Sequence, residues 1–289
     1  MDSTSPKTVR PEDFDLWIEA GHTEKHYWAD LWRFRELLVM LAWRDIAVRY
    51  KQTVAGFSWA ILQPFVTMVI MTIVFGRVAG LQSIGNAPYA IMVFAAMLPW
   101  QFFANALTNS GQSIVANSNM ISKVYFPRVM IPGASVIVSL VDFLVSFAIL
   151  AALMVWYQFW PTWRLLTVPF FAVLAMAAAL GPGLLVTALT VRYRDFRFIT
   201  PFVIQLGLFV SPVAYSSEVI REKLGRVFAY FYSLNPLVVV IDGFRWAILG
   251  SDVNLFTVHN AISFGMGILI LIFGISYFRR TERSFADVI

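Results

Sequence analysis

Few residues in this chain could do covalent chemistry, and those few stand apart. Asp142 is the one clear acid set deep in an apolar stretch. An ionisable group at membrane depth is by default a functional hypothesis. A proton relay, however, needs a second titratable group, and no Lys, Arg or His shares that stretch. An aspartate hydrogen-bonded to a neighbouring helix, or held protonated, is therefore favoured over a proton pathway. His22 and His26 are four apart, a spacing that can hold a metal on one helix face, but no third ligand lies nearby. They read as solvated surface, and His259 stands alone. Asp242 and Arg245 are three apart and can meet on a helix. There is no H-E-x-x-H and no G-x-x-x-x-G-K-[ST] loop to cradle nucleotide phosphates. With no cysteine, neither a disulfide framework nor a thiolate zinc site can form. No catalytic residues, no metal and no cofactor bound by this chain are expected.

What surrounds these residues is apolar. The chain is 59% hydrophobic and 13% charged, where soluble domains carry roughly 25% charged residues. Six stretches, 57–76, 88–107, 129–157, 165–191, 196–216 and 261–278, are near the ~20 residues that cross a ~30 Å hydrocarbon core. A soluble protein can bury one or two such runs, not six. The fold class expected is an all-α polytopic membrane protein with six transmembrane helices. The organisation expected is an N-terminal tail over 1–33, an interfacial helix over 34–56, a six-span unit over 57–280 and a C-terminal tail over 281–289. The first thirty residues are polar, with Glu12, Asp13, Asp15, Glu19 and Glu24. They lack a basic segment followed by an apolar one, so no cleavable signal peptide is expected.

Basic residues orient the frame. Of the 22 Lys and Arg, sixteen lie in the N-terminal segment, the second and fourth loops and the C-terminus, and six on the other side. Short basic loops stay in the cytoplasm, so both termini are expected there. The net charge of +5 reads as topology and contact with anionic lipid. No basic cluster interleaved with aromatics forms a module for nucleic acid.

Before the first stretch, residues 37–43 are apolar but too short to span. Arg44, Asp45, Arg49 and Lys51 then fall on several helical faces. An interfacial helix is expected, anchored by Trp43 and Tyr50, with its charges facing water or a cytoplasmic partner. The loop 108–130 is polar, yet Ile114, Met120, Ile121, Val124, Tyr125 and Phe126 interrupt it. That pattern suits a protein contact or a loop capping two spans. Pro64, Pro99, Pro201, Pro212 and the Gly181-Pro182-Gly183 interruption of the fourth stretch suit kinks or the shaping of a pathway. In 218–252 two apolar halves are split by Asn235-Pro236, and each is too short to span. They can dip in and return as two half-helices, making Asn235, Asp242 and Arg245 candidates for an outer gate. A hairpin lying on the outer leaflet is the alternative.

Aromatic residues make up 16% of the chain. Trp59, Phe65, Trp100, Phe209 and Tyr215 lie within the first, second and fifth stretches. Aromatic faces take apolar C–H surfaces, and Tyr and Trp keep a polar handle. Sugars present such faces, so these five are candidate lining of a sugar pathway. Lipid-facing or helix-packing roles remain open for each.

Several segments in order resemble one family. Arg49-Tyr50-Lys51-Gln52-Thr53 with Gly56, Trp59 and Pro64 is similar to the start of the membrane subunit of type-2 ABC exporters of polysaccharides such as O-antigen, capsule or teichoic acid. Leu98-Pro99-Trp100, Asn117, Tyr125-Phe126-Pro127-Arg128 and Pro132 resemble its second span and following loop. Arg194-Asp195-Phe196, Ser211-Pro212-Val213 with Tyr215, and Asn235-Pro236 with Arg245 continue the pattern. The likeness runs from about Tyr27 to the C-terminus; the first ~26 residues fall outside it.

The resemblance implies a homodimer in the bacterial inner membrane, paired with two cytoplasmic ATP-binding subunits that carry ATP and Mg. It implies a lipid-linked polysaccharide as substrate. It makes Asn119, Met120, Ile121, Ser122, Lys123, Tyr125 and Phe126 the ATPase-coupling element, and the broken hairpin a re-entrant gate. Two alternatives stay open. An ABC exporter of small lipids or drugs would have fewer channel aromatics. A membrane-embedded glycosyl or acyl transferase would need Asp, His or Arg clustered at one depth.

Overall fold

The computed structural model describes residues 27–51, 54–121, 123–124, 126–223, 225–250 and 255–285. His22 and His26 lie outside them. The described elements are helical: α1 (Tyr27–Arg33), α2 (Arg35–Lys51), α3 (Val54–Met71), α4 (Tyr89–Ala116), α5 (Ser118–Ile121), α6 (Met130–Trp156), α7 (Val168–Arg192), α8 (Phe196–Val210), α9 (Ser217–Lys223), α10 (Gly225–Ser233), α11 (Leu237–Leu249) and α12 (Val258–Thr281). A wider π-helical turn, Thr72–Val78, extends α3. Five helical segments are long and apolar enough to cross a membrane: Ile61–Val78, Tyr89–Ala116, Met130–Trp156, Trp163–Arg192 and Val258–Ser284. The fifth expected stretch is shorter as a helix. At ~1.5 Å per residue the fifteen residues of α8 rise ~22 Å, and the backbone from Ser211 onward forms a turn. The two apolar halves expected in 218–252 are α10 and α11, bent by 86° about Ser233–Leu237.

α4 is the hub. Ile91 to Trp100 are buried without a break, and α6, α7, α11, α3 and α8 all pack on this helix. Its small residues Ala90, Ala95, Ala96, Ala104 and Ala106 let neighbouring backbones approach, which is how helices associate in lipid. α7 packs on α12 still more closely. A Cβ on Gly274 would lie 2.2 Å from the Gly181 carbonyl oxygen, and one on Gly181 2.7 Å from Leu271 Cα. The expected interruption at Gly181-Pro182-Gly183 is therefore corrected: α7 runs through it unbroken. The glycine's role is to admit the neighbouring backbone.

Two apolar cores sit at the two ends of the bundle. At one end Phe244 of α11 packs edge-on to Phe143 and tilted against Phe171. At the other, Leu41, Ile114, Phe126, Met130, Leu184, Phe278 and Phe285 are buried together. The described ends of the chain meet at that second core. The Tyr27 hydroxyl lies 3.4 Å from a Glu282 carboxylate oxygen, and Arg128 donates to the Glu282 carbonyl. Both expected tails are thus trimmed. Helix begins by Tyr27, and Phe285 is buried beyond the end of α12.

The interfacial helix is also corrected in how it faces. α2 packs against α6, and two of its polar residues turn inward. Arg49 pairs with Asp142 at 2.9 Å, and the Tyr50 hydroxyl donates to the other carboxylate oxygen at 2.5 Å. Asn105 of α4 comes within 3.5 Å of the same carboxylate, and Gln101 donates to Asn105 at 3.1 Å. Asp142 is buried, so the cation and hydroxyl replace the water it has lost. Burial, then the bond to Asp142, raises the Tyr50 hydroxyl pKa above its ordinary value. Lys51 is on α2, but its side chain lies outside the described set.

This junction predicts coupling between two distant positions. Arg49→Ala leaves a buried carboxylate without its cation, and Asp142→Asn removes the charge. Losing one partner of a fully buried pair costs ~3–5 kcal/mol. The Arg49 side chain is 42% exposed, which lowers the expectation to about 1–3 kcal/mol. In a double-mutant cycle read by thermal unfolding in detergent, the second substitution should add little to the first. Fully additive losses would contradict the contact.

Candidate functional site

The loop after α4 is built from both sides. Asn117 ends α4, its amide donating to the Ser113 carbonyl at 2.9 Å. Arg44 of α2 donates to the Asn117 side-chain oxygen at 2.8 Å while pairing with Asp45 at 2.7 Å. Arg44 thus holds this loop, where the sequence suggested a solvent-facing charge. Ile121 at the end of the one-turn α5 and Phe126 beyond it fold inward, Phe126 being only 4% exposed. That corrects their assignment as anchors for an outside partner: an apolar loop residue next to a core is drawn into it. What the loop presents outward is Asn119, Lys123 and Val124, with Met120 half-buried. Ser122 and Tyr125 lie outside the described residues.

At the opposite end the gate candidates form a clamp. The turn after α8 has no ladder of its own, and in an apolar medium its carbonyls need donors. Arg245, fully buried, gives one guanidinium nitrogen to the Tyr215 carbonyl at 2.8 Å and another to that of Val213 at 2.8 Å. The Tyr89 hydroxyl takes the Ala214 carbonyl at 2.6 Å. Asp242 accepts from Ser217 at 2.7 Å. Asn235, at the bend between α10 and α11, donates to Ser211 at 2.9 Å, caps the Leu237 amide at 3.0 Å, and gives its carbonyl to Ser263 of α12 at 2.7 Å. Asn235, Asp242 and Arg245 are therefore brought together as ties between α8 and the bent pair. Tyr89, Ser217 and Ser263 were missed, and Ser211 entered only as part of the Ser211-Pro212-Val213 segment.

The five lining candidates separate. Trp100 is 5% exposed, and its ring fills the space left by Gly207 of α8, where a Cβ would sit 2.7 Å away. It also packs on Phe103, ring centroids 5.8 Å apart. Trp100 is corrected to a packing residue between α4 and α8, because a glycine opposite offers a large flat ring a complete cavity. Phe65 on α3 and Phe209 on α8 are exposed, at 41% and 57%. Tyr215 is half-buried and tied back to the Phe209 carbonyl at 2.8 Å. The Trp59 side chain lies outside the described set. Phe198, Phe202 and Leu206 extend the open apolar face of α8, and Gln205 and Gln63 add exposed amides on α8 and α3.

The sequence that builds this bundle is similar to those of known proteins. The family model for the ABC-2 type transporter matches residues 36–249. Two proteins from Klebsiella pneumoniae, each named O-antigen export system permease protein RfbA, are similar to this chain. One is 28% identical over 258 residues, covering 88% of this chain and 95% of the relative. The other is 29% identical over 255 residues with the same coverage. A protein of the same name from Myxococcus xanthus is 27% identical over 216 residues, 75% of this chain and 81% of its own. The family match spans all the helices from α2 to α11, and the chain belongs to the ABC-2 type transporter family.

Proposed function

We propose that this chain is the permease subunit of an ATP-driven exporter that moves a lipid-linked, O-antigen-like polysaccharide across a bacterial inner membrane. The observation that carries the reading is the near end-to-end likeness, 95% of their length, to two permeases named for O-antigen export. The sequence supports a partner for ATP, since it has no phosphate-cradling loop. ATP and Mg²⁺ are held by a separate cytoplasmic subunit, two copies of which serve a permease dimer.

The contacts support a six-span topology. Tyr27 and Arg128 both reach Glu282, so the described ends share one end of the bundle, as an even number of crossings requires. Five long spans plus α8 make six, with α10–α11 entering and leaving on the far side. The shared end carries most of the Lys and Arg and faces the cytoplasm.

Two copies of the chain face each other across the open surfaces of α3 and α8. Phe65, Phe202 and Phe209 with Gln63 and Gln205 supply aromatic faces and amides to a glycan. Such walls hold sugar rings weakly at many places, so the chain keeps moving; one tight site would stall it. Movement of the ATPase reaches the spans through the loop after α4. Arg44 ties that loop to α2, and Arg49 and Tyr50 tie α2 to α6, so the three shift as one body. A transferase would need reactive groups gathered at one depth, whereas the Asp142 carboxylate is taken up by Arg49 and Tyr50.

The chain purified alone should hydrolyse no ATP, and co-expression with its cognate ATP-binding subunit should give a two-plus-two complex that does. Hydrolysis by the isolated chain above a contaminant control would overturn the proposal.

The loop supplies a second expectation. The native chain has no cysteine, so single cysteines at Asn119, Met120, Lys123 or Val124 are unique handles. They should cross-link to the ATP-binding subunit. Phe126→Ala should act differently, lowering the stability of the permease by about 3–5 kcal/mol, as loss of a buried phenylalanine does. Cross-links absent from all four positions would reduce the loop to a connector.

A further inference from the structure

The hub helix α4 carries a row of polar side chains that neither the loop surface nor the outer clamp uses: Gln101, Asn105, Thr108 and Gln112. At ~100° per residue the four fall within about 60° of one another. From Gln101 to Gln112 the helix rises ~16 Å, about half of a ~30 Å hydrocarbon core. The row thus runs from the middle of α4 almost to the loop. α4 is the most enclosed of the long helices, yet Gln101, Asn105 and Thr108 are only half-buried and Gln112 is exposed.

The row is the floor of a cleft with two walls. On one side the Trp100 ring fills the space beside Gly207 of α8. On the other, Phe102 packs edge-on to Phe143 of α6, ring centroids 6.0 Å apart. Trp100 and Phe102 lie roughly 90–110° to either side of the row. Asn109 donates to Ser139 at 3.2 Å on the α6 side, and Arg49 and Tyr50 bring the end of α2 onto that wall. α8 packs on α4 and α7 rather than on α6, so the walls do not close over the floor.

Polar residues in a membrane helix often tie it to its neighbours. Most of this row does not. Gln101 donates to Asn105 on its own helix at 3.1 Å, and Thr108 returns its hydroxyl to the Ala104 carbonyl at 2.8 Å. The Gln112 side chain bonds none of the described residues. Within the row, Asn105 alone approaches another helix, 3.5 Å from the Asp142 carboxylate. Amides at membrane depth that do not tie helices face water or a polar ligand, because lipid offers nothing to pair with. A carboxamide both donates and accepts, as does a sugar hydroxyl. The row carries no charge, and Asp142 beside it is matched by Arg49. Such a surface holds a hydroxyl-rich chain weakly at each step and lets it move on.

We propose that the cleft floored by Gln101, Asn105, Thr108 and Gln112 is a water-filled entry for the glycan on the loop side, exchanging hydrogen bonds with sugar hydroxyls. This role rests on polysaccharide export, and it adds α4 to the walls that α3 and α8 supply.

The native chain has no cysteine, so Gln101→Cys, Thr108→Cys and Gln112→Cys each place one thiol in the row. Asn105 stays, because it touches Asp142. Leu269→Cys, on the exposed face of α12, is the lipid-facing reference. Each full-length variant is assembled with the ATP-binding subunit in inverted vesicles, and labelling by a charged, membrane-impermeant methanethiosulfonate is followed by mass. Only a thiolate reacts and apolar surroundings keep a thiol protonated, so the row should label about tenfold or more faster than position 269. Lipid-linked glycan at a few times its Kd should slow the row about threefold, and the bare lipid carrier should not. A row as slow as position 269 overturns the water-filled cleft. A reactive row that glycan leaves unshielded, or that the bare carrier shields equally, overturns the glycan role. Labelling needs no ATP hydrolysis, and export by the native complex is measured beside it. Absence of that export would sink the exporter reading, whereas normal export with an unreactive or unshielded row sinks this site alone.

Discussion

A carboxylate in an apolar helix has to be met by donors, and at Asp142 that requirement organises one end of the molecule. Its partners come from outside the helix that carries it: Arg49 and Tyr50 of α2, with Asn105 of α4 close by. A helix lying at a membrane boundary otherwise has little to fix its rotation, since lipid and water offer no specific contact. The Asp142 contacts fix it. With α2 so placed, Arg44 meets Asn117 and Leu41 enters the core formed by Phe126, Met130 and Phe278. The loop, α2 and α6 are thereby packed together as one unit.

The opposite end is governed by a different shortage. There the backbone breaks twice inside the apolar bundle, after α8 and between α10 and α11, and each break frees carbonyls and amides. Arg245, Tyr89 and Asn235 serve those groups from neighbouring helices. Because one arginine holds two turn carbonyls, α8 and α11 are tied at a point rather than along a face.

Much of this was legible in the sequence. Hydropathy alone located the five long helical segments, and Asn235-Pro236 between two short apolar halves located the bent pair. What escaped was the direction in which side chains face. Hydropathy does not distinguish an aromatic packed on a helix from one facing lipid, because both surroundings are apolar. Trp100 was misread for that reason, and the clue was Gly207 on the helix opposite. Phe126 was misread because a loop residue was taken to be outside, while Phe285, its partner core residue, sat in a supposed tail. Asp142 lacks a cation in its own span, and Arg49-Tyr50 just before the first span, read as facing the membrane boundary, supply its partners instead. Gly181 looked like a helix break until Gly274 supplied the neighbour it accommodates.

The central claim, that the chain moves a lipid-linked polysaccharide under power from a separate subunit, meets its most direct test in inverted vesicles. The permease and its cognate ATP-binding subunit are reconstituted, lipid-linked polysaccharide is supplied from outside, and glycan protected from an added glycosidase is measured. Protection should require ATP, both subunits and a glycan on the lipid. Equal ATP-driven movement of the bare lipid carrier, or of an unrelated small lipid, would contradict the account and mark the chain as a small-lipid exporter.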